Sequence, residues 1–108
     1  MYEPTKKDLD YFAIDSVDGE LILNKPFPKR MSQKRALELS IAKWHLMVEN
    51  KLTYDGEAYT CALCQRNDDC LRCPVGGCAG TPYGWDRGMR RNRAELKFLQ
   101  DLHTELYG

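Results

Sequence analysis

The chain is organised around residues 61–78, which read CALCQRNDDCLRCPVGGC. All five cysteines of the 108-residue sequence fall within this stretch, as two C-x-x-C pairs followed by one further cysteine. Thiols at this density are typical of a metal site or of a disulfide framework. The stretch therefore predicts the chemistry of one site, and it leaves the biological activity open.

The cysteine spacing suits a tetrahedral zinc ion. Zinc in such sites has Zn–S bonds of about 2.3 Å, and each C-x-x-C turn supplies two sulfurs from one bend. The run Asn67-Asp68-Asp69 between the pairs favours a reversing turn, and Gly76-Gly77 lets the last cysteine return towards the same centre. We expect Zn²⁺ to be bound by four of the five cysteines, which are Cys61, Cys64, Cys70, Cys73 and Cys78.

Five thiols for four positions leave one cysteine outside the zinc site. The Cys61/Cys64 pair is the best supported, and the other two positions fall to Cys73 with either Cys70 or Cys78. A structural zinc is favoured over an iron–sulfur cluster, because the C-x2-C-x2-C-x3-C-P run of bacterial ferredoxins is absent. Disulfides fit less well, since the number is odd and the N-terminus shows no apolar signal-peptide core. Thiol redox chemistry remains a further alternative.

The motifs C-A-L-C at 61–64, C-x-x-C-P at 70–74 and C-x-G-T-P-Y at 78–83, preceded by RALELSIAKW at 35–44, carry a resemblance. The sequence resembles a family of small cysteine-rich proteins of bacteriophages and prokaryotes, whose members have no assigned function. The segment between Pro74 and Cys78 is shorter here than in that family. The resemblance implies a phage or prokaryotic, intracellular protein.

Composition predicts one domain spanning residues 1–108. With 43% hydrophobic and 30% charged residues, the chain can bury a single modest core. No apolar run approaches the roughly 18 residues that a membrane span needs, so we expect a cytoplasmic protein with no membrane partner. Sixteen acidic and sixteen basic residues cancel, which argues against a strong overall field for nucleic acid.

Periodicity predicts an α+β fold, in which a β-hairpin and two amphipathic helices flank the cysteine-rich loop. The hairpin spans 11–24, turns at Asp18-Gly19 through a two-residue loop, and has one apolar face. That face is formed by Phe12, Ile14, Leu21 and Leu23. Because an isolated hairpin is marginal in water, we expect it to pack on a helix, and we expect zinc to stabilise the whole domain.

The first helix is predicted over 33–51, with Ser32 as its N-cap, and the second over 92–107. A short helical turn is expected where Thr81 precedes Pro82. The apolar stripe of the first helix comprises Leu37, Ile41, Trp44 and Val48. The stripe of the second comprises Ala94, Phe98, Leu99, Leu102 and Leu106.

Basic residues are concentrated near the second helix. The cluster comprises Arg87, Arg90, Arg91, Arg93 and Lys97. Such a cluster is most often a solvated face. The alternative is that the arginines contact phosphates while Tyr83 or Trp85 stacks on a base.

The sequence favours a zinc-binding interaction protein over an enzyme. It lacks the H-E-x-x-H, G-x-S-x-G and zinc-deaminase patterns, and a four-thiolate zinc has no open position for substrate. We expect a protein partner of the host or of the phage. Zinc-dependent nucleic-acid binding through 87–97 is the first alternative, and a thiol redox or iron–sulfur protein is the second.

Overall fold

A long helix, α2, lies at the centre of the computed structural model, which describes residues 1–55, 60–67, 74 and 80–108. Helix α2 spans Gln33–Glu49 and begins as predicted, because Ser32 Oγ accepts the N–H of Arg35 at 3.1 Å. Its middle turns are buried on every side, whereas the sequence predicts a single stripe. The buried apolar side chains of this helix include Leu37, Leu39, Ile41, Trp44 and Met47.

Helix α2 ends two residues before the predicted position 51, because Lys51 adopts a left-handed conformation with φ of 52°. The N–H of Lys51 donates to the carbonyl of Val48, and the N–H of Leu52 donates to that of Met47. This pair of hydrogen bonds is a Schellman motif, which ends a helix and reverses the chain. Leu52 is buried beside the helix, and the chain is directed back towards the core.

The hairpin consists of strands β1, Phe12–Ile14, and β2, Leu21–Leu23, paired antiparallel so that Ile14 faces Leu21. The predicted apolar face is therefore one face of the hairpin, and Phe12 and Leu21 are buried. The predicted two-residue turn is wrong, because residues 15–20 form a longer loop.

The side chain of Asp15 determines the conformation of that loop. The Oδ1 of Asp15 accepts the N–H of Val17 at 2.9 Å, and the main-chain carbonyl of Asp15 accepts the N–H of Gly19 at 2.7 Å. Gly19 has a φ of 66°, which glycine adopts without strain. The Asp-Gly pair thus closes a wider turn around Asp15 than its sequence indicates.

A short helix, α1, spans Lys6–Leu9, a segment for which no element is predicted above. Thr5 and Asp8 form a capping box, in which each side chain accepts the other residue's main-chain N–H. Arg35 of α2 lies 2.6 Å from Asp8, and the hydroxyl of Tyr2 donates to the same carboxylate. Burial opposes ionisation of Asp8, but the hydrogen bonds from Tyr2, Thr5 and Arg35 lower its pKa.

Three elements complete the described chain. Helix α3 spans Ala62–Arg66, a 3-10 turn spans Pro82–Gly84, and helix α4 spans Met89–Tyr107. Thr81 caps the 3-10 turn by accepting the N–H of Tyr83 at 3.2 Å, as its position before proline predicts. Helix α4 begins three residues before the predicted position 92, directly after Gly88, whose positive φ of 155° separates the turn from the helix.

The most deeply buried face of α4 is chiefly polar, so the predicted apolar stripe forms only part of its core face. Leu99 of that stripe is buried, Phe98 and Leu102 are partly buried against the core, and Leu106 is exposed. The buried polar residues on α4 are Arg91, Asn92, Glu95, Gln100 and His103. Their partners explain the burial: His103 Nε2 lies 3.0 Å from Glu38 of α2, and Asn92 donates to the carbonyl of Leu52 at 2.5 Å.

The described residues confirm the α+β class, with a two-stranded hairpin and helices that pack on α2. Among these residues, no helix has both the length and the apolar character required to cross a membrane. The predicted metal loop over 61–78 is described at residues 61–67 and at Pro74, and its remaining positions lie outside the described residues.

Candidate metal centre

The first C-x-x-C pair forms a compact turn at the start of α3. Cys61 is the N-cap of this helix, and the N–H of Cys64 donates to Cys61 Sγ at 3.4 Å. The side chain of Cys64 also hydrogen-bonds to that sulfur. The turn therefore holds two sulfur atoms side by side, as two ligands of one metal ion must be.

The thiolate of Cys61 is favoured by its surroundings. The hydrogen bond from Cys64 is the largest influence, burial acts in the opposite direction, and the positive charge of Lys43 adds to the first effect. The hydrogen bond from Cys64, the charge of Lys43 and main-chain N–H donors of α3 outweigh burial, and they lower the pKa of Cys61 to about 6. Because the thiolate is the form of cysteine that binds a metal, Cys61 is suited to be a ligand near neutral pH.

The structure brings together two of the five predicted zinc ligands. Cys70, Cys73 and Cys78 lie outside the described residues. Among the residues that are described, no group of three or more His, Cys, Asp or Glu side chains could hold a metal ion. Cys61 and Cys64 are two of the four thiolates that the predicted zinc site requires, and the site itself stays a prediction.

A buried ion pair lies beside this turn. Lys43, in the middle of α2, has its ammonium 2.8 Å from a carboxylate oxygen of Asp55, and each side chain is only 1% exposed. The hydroxyl of Tyr83 donates to the same carboxylate at 3.2 Å, and Thr60 donates to the Asp55 carbonyl. A buried charge is destabilising unless it is paired and hydrogen-bonded, and here both conditions hold for Asp55.

Two aromatic rings separate this ion pair from a second buried cation. Trp44 and Tyr83 meet edge to face with their centroids 5.6 Å apart. Lys43 lies 5.0 Å from the Trp44 ring, and the guanidinium of Arg91 lies 5.0 Å from the same ring. Arg91 also donates to the side-chain oxygen of Asn92 at 3.2 Å. Arg91 is therefore an interior residue, which corrects its assignment to the predicted nucleic-acid-binding surface.

Glu95 of α4 completes the polar cluster. Burial raises the pKa of Glu95 to about 7, while the hydrogen bond from Thr81 and the charge of Lys43 act in the opposite direction and the charge of Cys61 adds to the rise. Lys43 thus acts electrostatically on both Cys61 and Glu95. We refer to Lys43, Asp55, Tyr83 and Glu95 as the polar cluster. It joins α2, the chain that follows α2, the 3-10 turn and α4.

Sequence reasoning missed the polar cluster. The signal for Lys43 is its position next to Trp44, inside the run IAKWHLM of a helix, where a lysine interrupts otherwise mostly apolar residues. Asp55 and Glu95 carry no such signal. Their partners are distant in sequence, so only the folded chain brings them together.

The remaining members of the predicted basic surface are exposed: Arg87, Arg90, Arg93 and Lys97. Lys97 is paired with Asp101 of the next helical turn at 2.7 Å, so its charge is largely offset. Arg90 lies 5.2 Å from the ring of Trp85 and Arg87 lies 4.6 Å from that of Tyr54. These stacked arginines define a surface separate from the cysteine turn.

Comparison with known proteins adds no further assignment. No protein-family model matches the chain, and neither a curated protein nor a solved structure matches it. The resemblance to small phage and prokaryotic proteins stays a prediction from the cysteine motifs. The functional argument therefore depends on the chemistry of the described residues.

We predict that Lys43→Met destabilises the fold by about 3–5 kcal/mol, because it leaves the Asp55 carboxylate buried without its cation. The double variant Lys43→Met/Asp55→Leu should lose less than the sum of the two single variants, since no unpaired charge remains. Urea unfolding monitored by circular dichroism measures each free energy.

The control is Lys97→Met, which removes a lysine from an exposed ion pair on α4. This change should alter the free energy of unfolding by no more than about 1 kcal/mol. If Lys43→Met is as mild as Lys97→Met, the buried ion pair does not hold this part of the fold together.

Proposed function

We propose that the protein is a small zinc-binding interaction protein, in which a structural zinc stabilises the fold and another surface binds a partner protein. The observation that carries the zinc is the Cys61/Cys64 turn, with its two adjacent sulfurs and its lowered Cys61 pKa. Cys73 together with either Cys70 or Cys78 supplies the remaining ligands. When bound, the zinc supplies a cross-link between α3 and the segment that precedes the 3-10 turn.

The charge of the polar cluster supports a thiolate-rich site. Four thiolates and one zinc dication have a net charge of about −2. The positive charge of Lys43 favours the Cys61 thiolate, while the Asp55 carboxylate pairs with the same ammonium. Glu95, with a pKa of about 7, has less negative charge at neutral pH than an ordinary carboxylate. The cluster thus favours the Cys61 thiolate and adds little negative charge of its own beside the cysteines. A cytoplasmic, phage or prokaryotic setting fits this proposal, because thiols stay reduced there.

The end of the hairpin supports a protein partner. Val17 is 87% exposed at the tip of the loop, and Ile14 at the end of the adjoining strand is also exposed. Asp18 and Glu20 lie beside them, and the Asp15 carboxylate holds the loop. Exposed aliphatic side chains within an acidic rim suit a partner that has an apolar pocket bordered by basic residues.

We predict one zinc ion per chain when the protein is purified under reducing conditions, measured by native mass spectrometry together with elemental analysis. Cys61→Ser and Cys64→Ser should each lose the zinc. Among the Cys70→Ser, Cys73→Ser and Cys78→Ser variants, two should lose zinc and one should retain it. The variant that retains zinc is the matched control, since it removes a thiol without removing a ligand.

Other outcomes would contradict the zinc site in distinguishable ways. Visible absorbance with bound iron would indicate an iron–sulfur cluster. A metal-free chain with a mass lower by two hydrogens per bridge would indicate disulfides. Zinc retained by both Cys61→Ser and Cys64→Ser would place the metal elsewhere.

For the partner, we predict that Val17→Asp abolishes the capture of a specific protein from a bacterial extract, because it places a charge where an apolar contact is required. Quantitative mass spectrometry of proteins captured by the wild type and by the variant measures this loss. Arg93→Ala, an exposed change away from the hairpin, should capture the same protein as the wild type. Equal recovery with Val17→Asp would exclude the hairpin as the binding surface.

A further inference from the structure

A groove lies where the 3-10 turn passes into α4. It is lined by residues 84–91 and has a volume of about 670 Å³. Ligand pockets in proteins have volumes of about 300–1,000 Å³, so the groove is large enough for one or two groups of a ligand. Among the residues that the structure describes, neither the cysteine turn nor the exposed end of the hairpin lines this groove.

An exposed indole and an arginine form one wall of the groove. Trp85 is 47% exposed, and the guanidinium of Arg90 lies 5.2 Å from its ring. A second arginine, Arg87, is held in the same way over Tyr54, at 4.6 Å. Stacking on a ring restricts a long side chain before any ligand binds, so less conformational entropy is lost on binding.

The groove is positively charged although the whole chain is neutral. Arg87 and Arg90 line the groove and are exposed, and buried Arg91 lines it as well. Asp86 is the carboxylate among the described lining residues. Arg93 follows Arg90 by one helical turn and is also exposed. Planar guanidinium groups are suited to phosphates, because they donate two parallel hydrogen bonds to one phosphate group.

From the Trp85–Arg90 stack and the arginine-lined groove around it, we infer that this surface binds single-stranded nucleic acid. An unpaired base stacks on the free side of the Trp85 ring, and the phosphates that flank it pair with Arg87 and Arg90. The structure also selects between the two predicted stacking residues. Tyr83 packs on Trp44 and donates to Asp55, so its ring belongs to the interior.

A single strand fits this surface better than a duplex. In a duplex each base is stacked between its neighbours and offers no face to an indole, whereas an unpaired base does. The surface is distinct from the hairpin proposed for protein binding. The inference thus goes beyond the proposed function, and each can fail without the other.

The test measures the anisotropy of a labelled 12-residue oligo(dT) with the 108-residue chain, purified under reducing conditions, over a series of salt concentrations. With Arg87, Arg90 and Arg93 contacting phosphates, the logarithm of the binding constant should fall with the logarithm of salt concentration with a slope of about −2. Trp85→Ala should weaken binding roughly tenfold or more, and Trp85→Phe should restore most of it. Arg90→Ala should reduce the slope by about 0.7, the value for one phosphate contact on a single strand.

Arg30→Ala is the matched control, because it removes one exposed arginine outside the groove. It should leave affinity and salt slope unchanged, as should Val17→Asp at the hairpin. The inference is overturned by the absence of salt-dependent binding at low salt, or by binding that Trp85→Ala and Arg90→Ala leave intact. Equally tight binding of a duplex of the same length would overturn the assignment to single strands.

Discussion

The ion pair between the buried ammonium of Lys43 and the carboxylate of Asp55 is the interaction on which the arrangement of this chain depends. A charge inside a protein is destabilising by several kcal/mol unless partners surround it, so the segments near α2 must supply them. The Schellman motif after α2 turns the chain back, and Asp55 then pairs with Lys43 at 2.8 Å. Helix α3 brings Cys61 close enough for its thiolate to respond to the same charge. One lysine thus links the centre of the fold to the cysteine turn.

The residues that stabilise the fold differ from those that we propose to bind partners. The polar cluster and the proposed zinc lie where α2, α3, the 3-10 turn and α4 meet, and they form a scaffold. The candidate binding surfaces lie on elements attached to that scaffold, at the tip of the hairpin and at the start of α4. The 3-10 turn provides Tyr83 to the interior and leads directly into exposed Trp85, so the polar cluster and the groove proposed for nucleic acid are two residues apart in sequence.

Features with a local cause could be predicted from the sequence. Ser32 before α2 and Thr81 before Pro82 cap their helices through hydrogen bonds within three residues, and the alternation of 12–14 and 21–23 identifies one face of the hairpin. Features with distant partners could not be predicted. The polar face of α4 looks unsuited to a core until His103 meets Glu38 and Asn92 meets the carbonyl of Leu52. The wider hairpin turn depends on the hydrogen bond that the Asp15 side chain accepts from Val17. The Asp-Gly pair in the sequence does not indicate this hydrogen bond.

The cysteine motif predicted the turn at residues 61–64, and the structure adds the buried charges beside it, while its metal chemistry stays a prediction. The central claim is that a zinc ion held by these thiolates stabilises the fold. Thermal unfolding of the reduced protein, followed by far-ultraviolet circular dichroism before and after treatment with a strong zinc chelator, tests it most directly. Zinc binding contributes about 10–16 kcal/mol in small zinc-finger peptides, so the account predicts a large fall in the unfolding midpoint and reduced helical signal. Superimposable melting curves and spectra would contradict it.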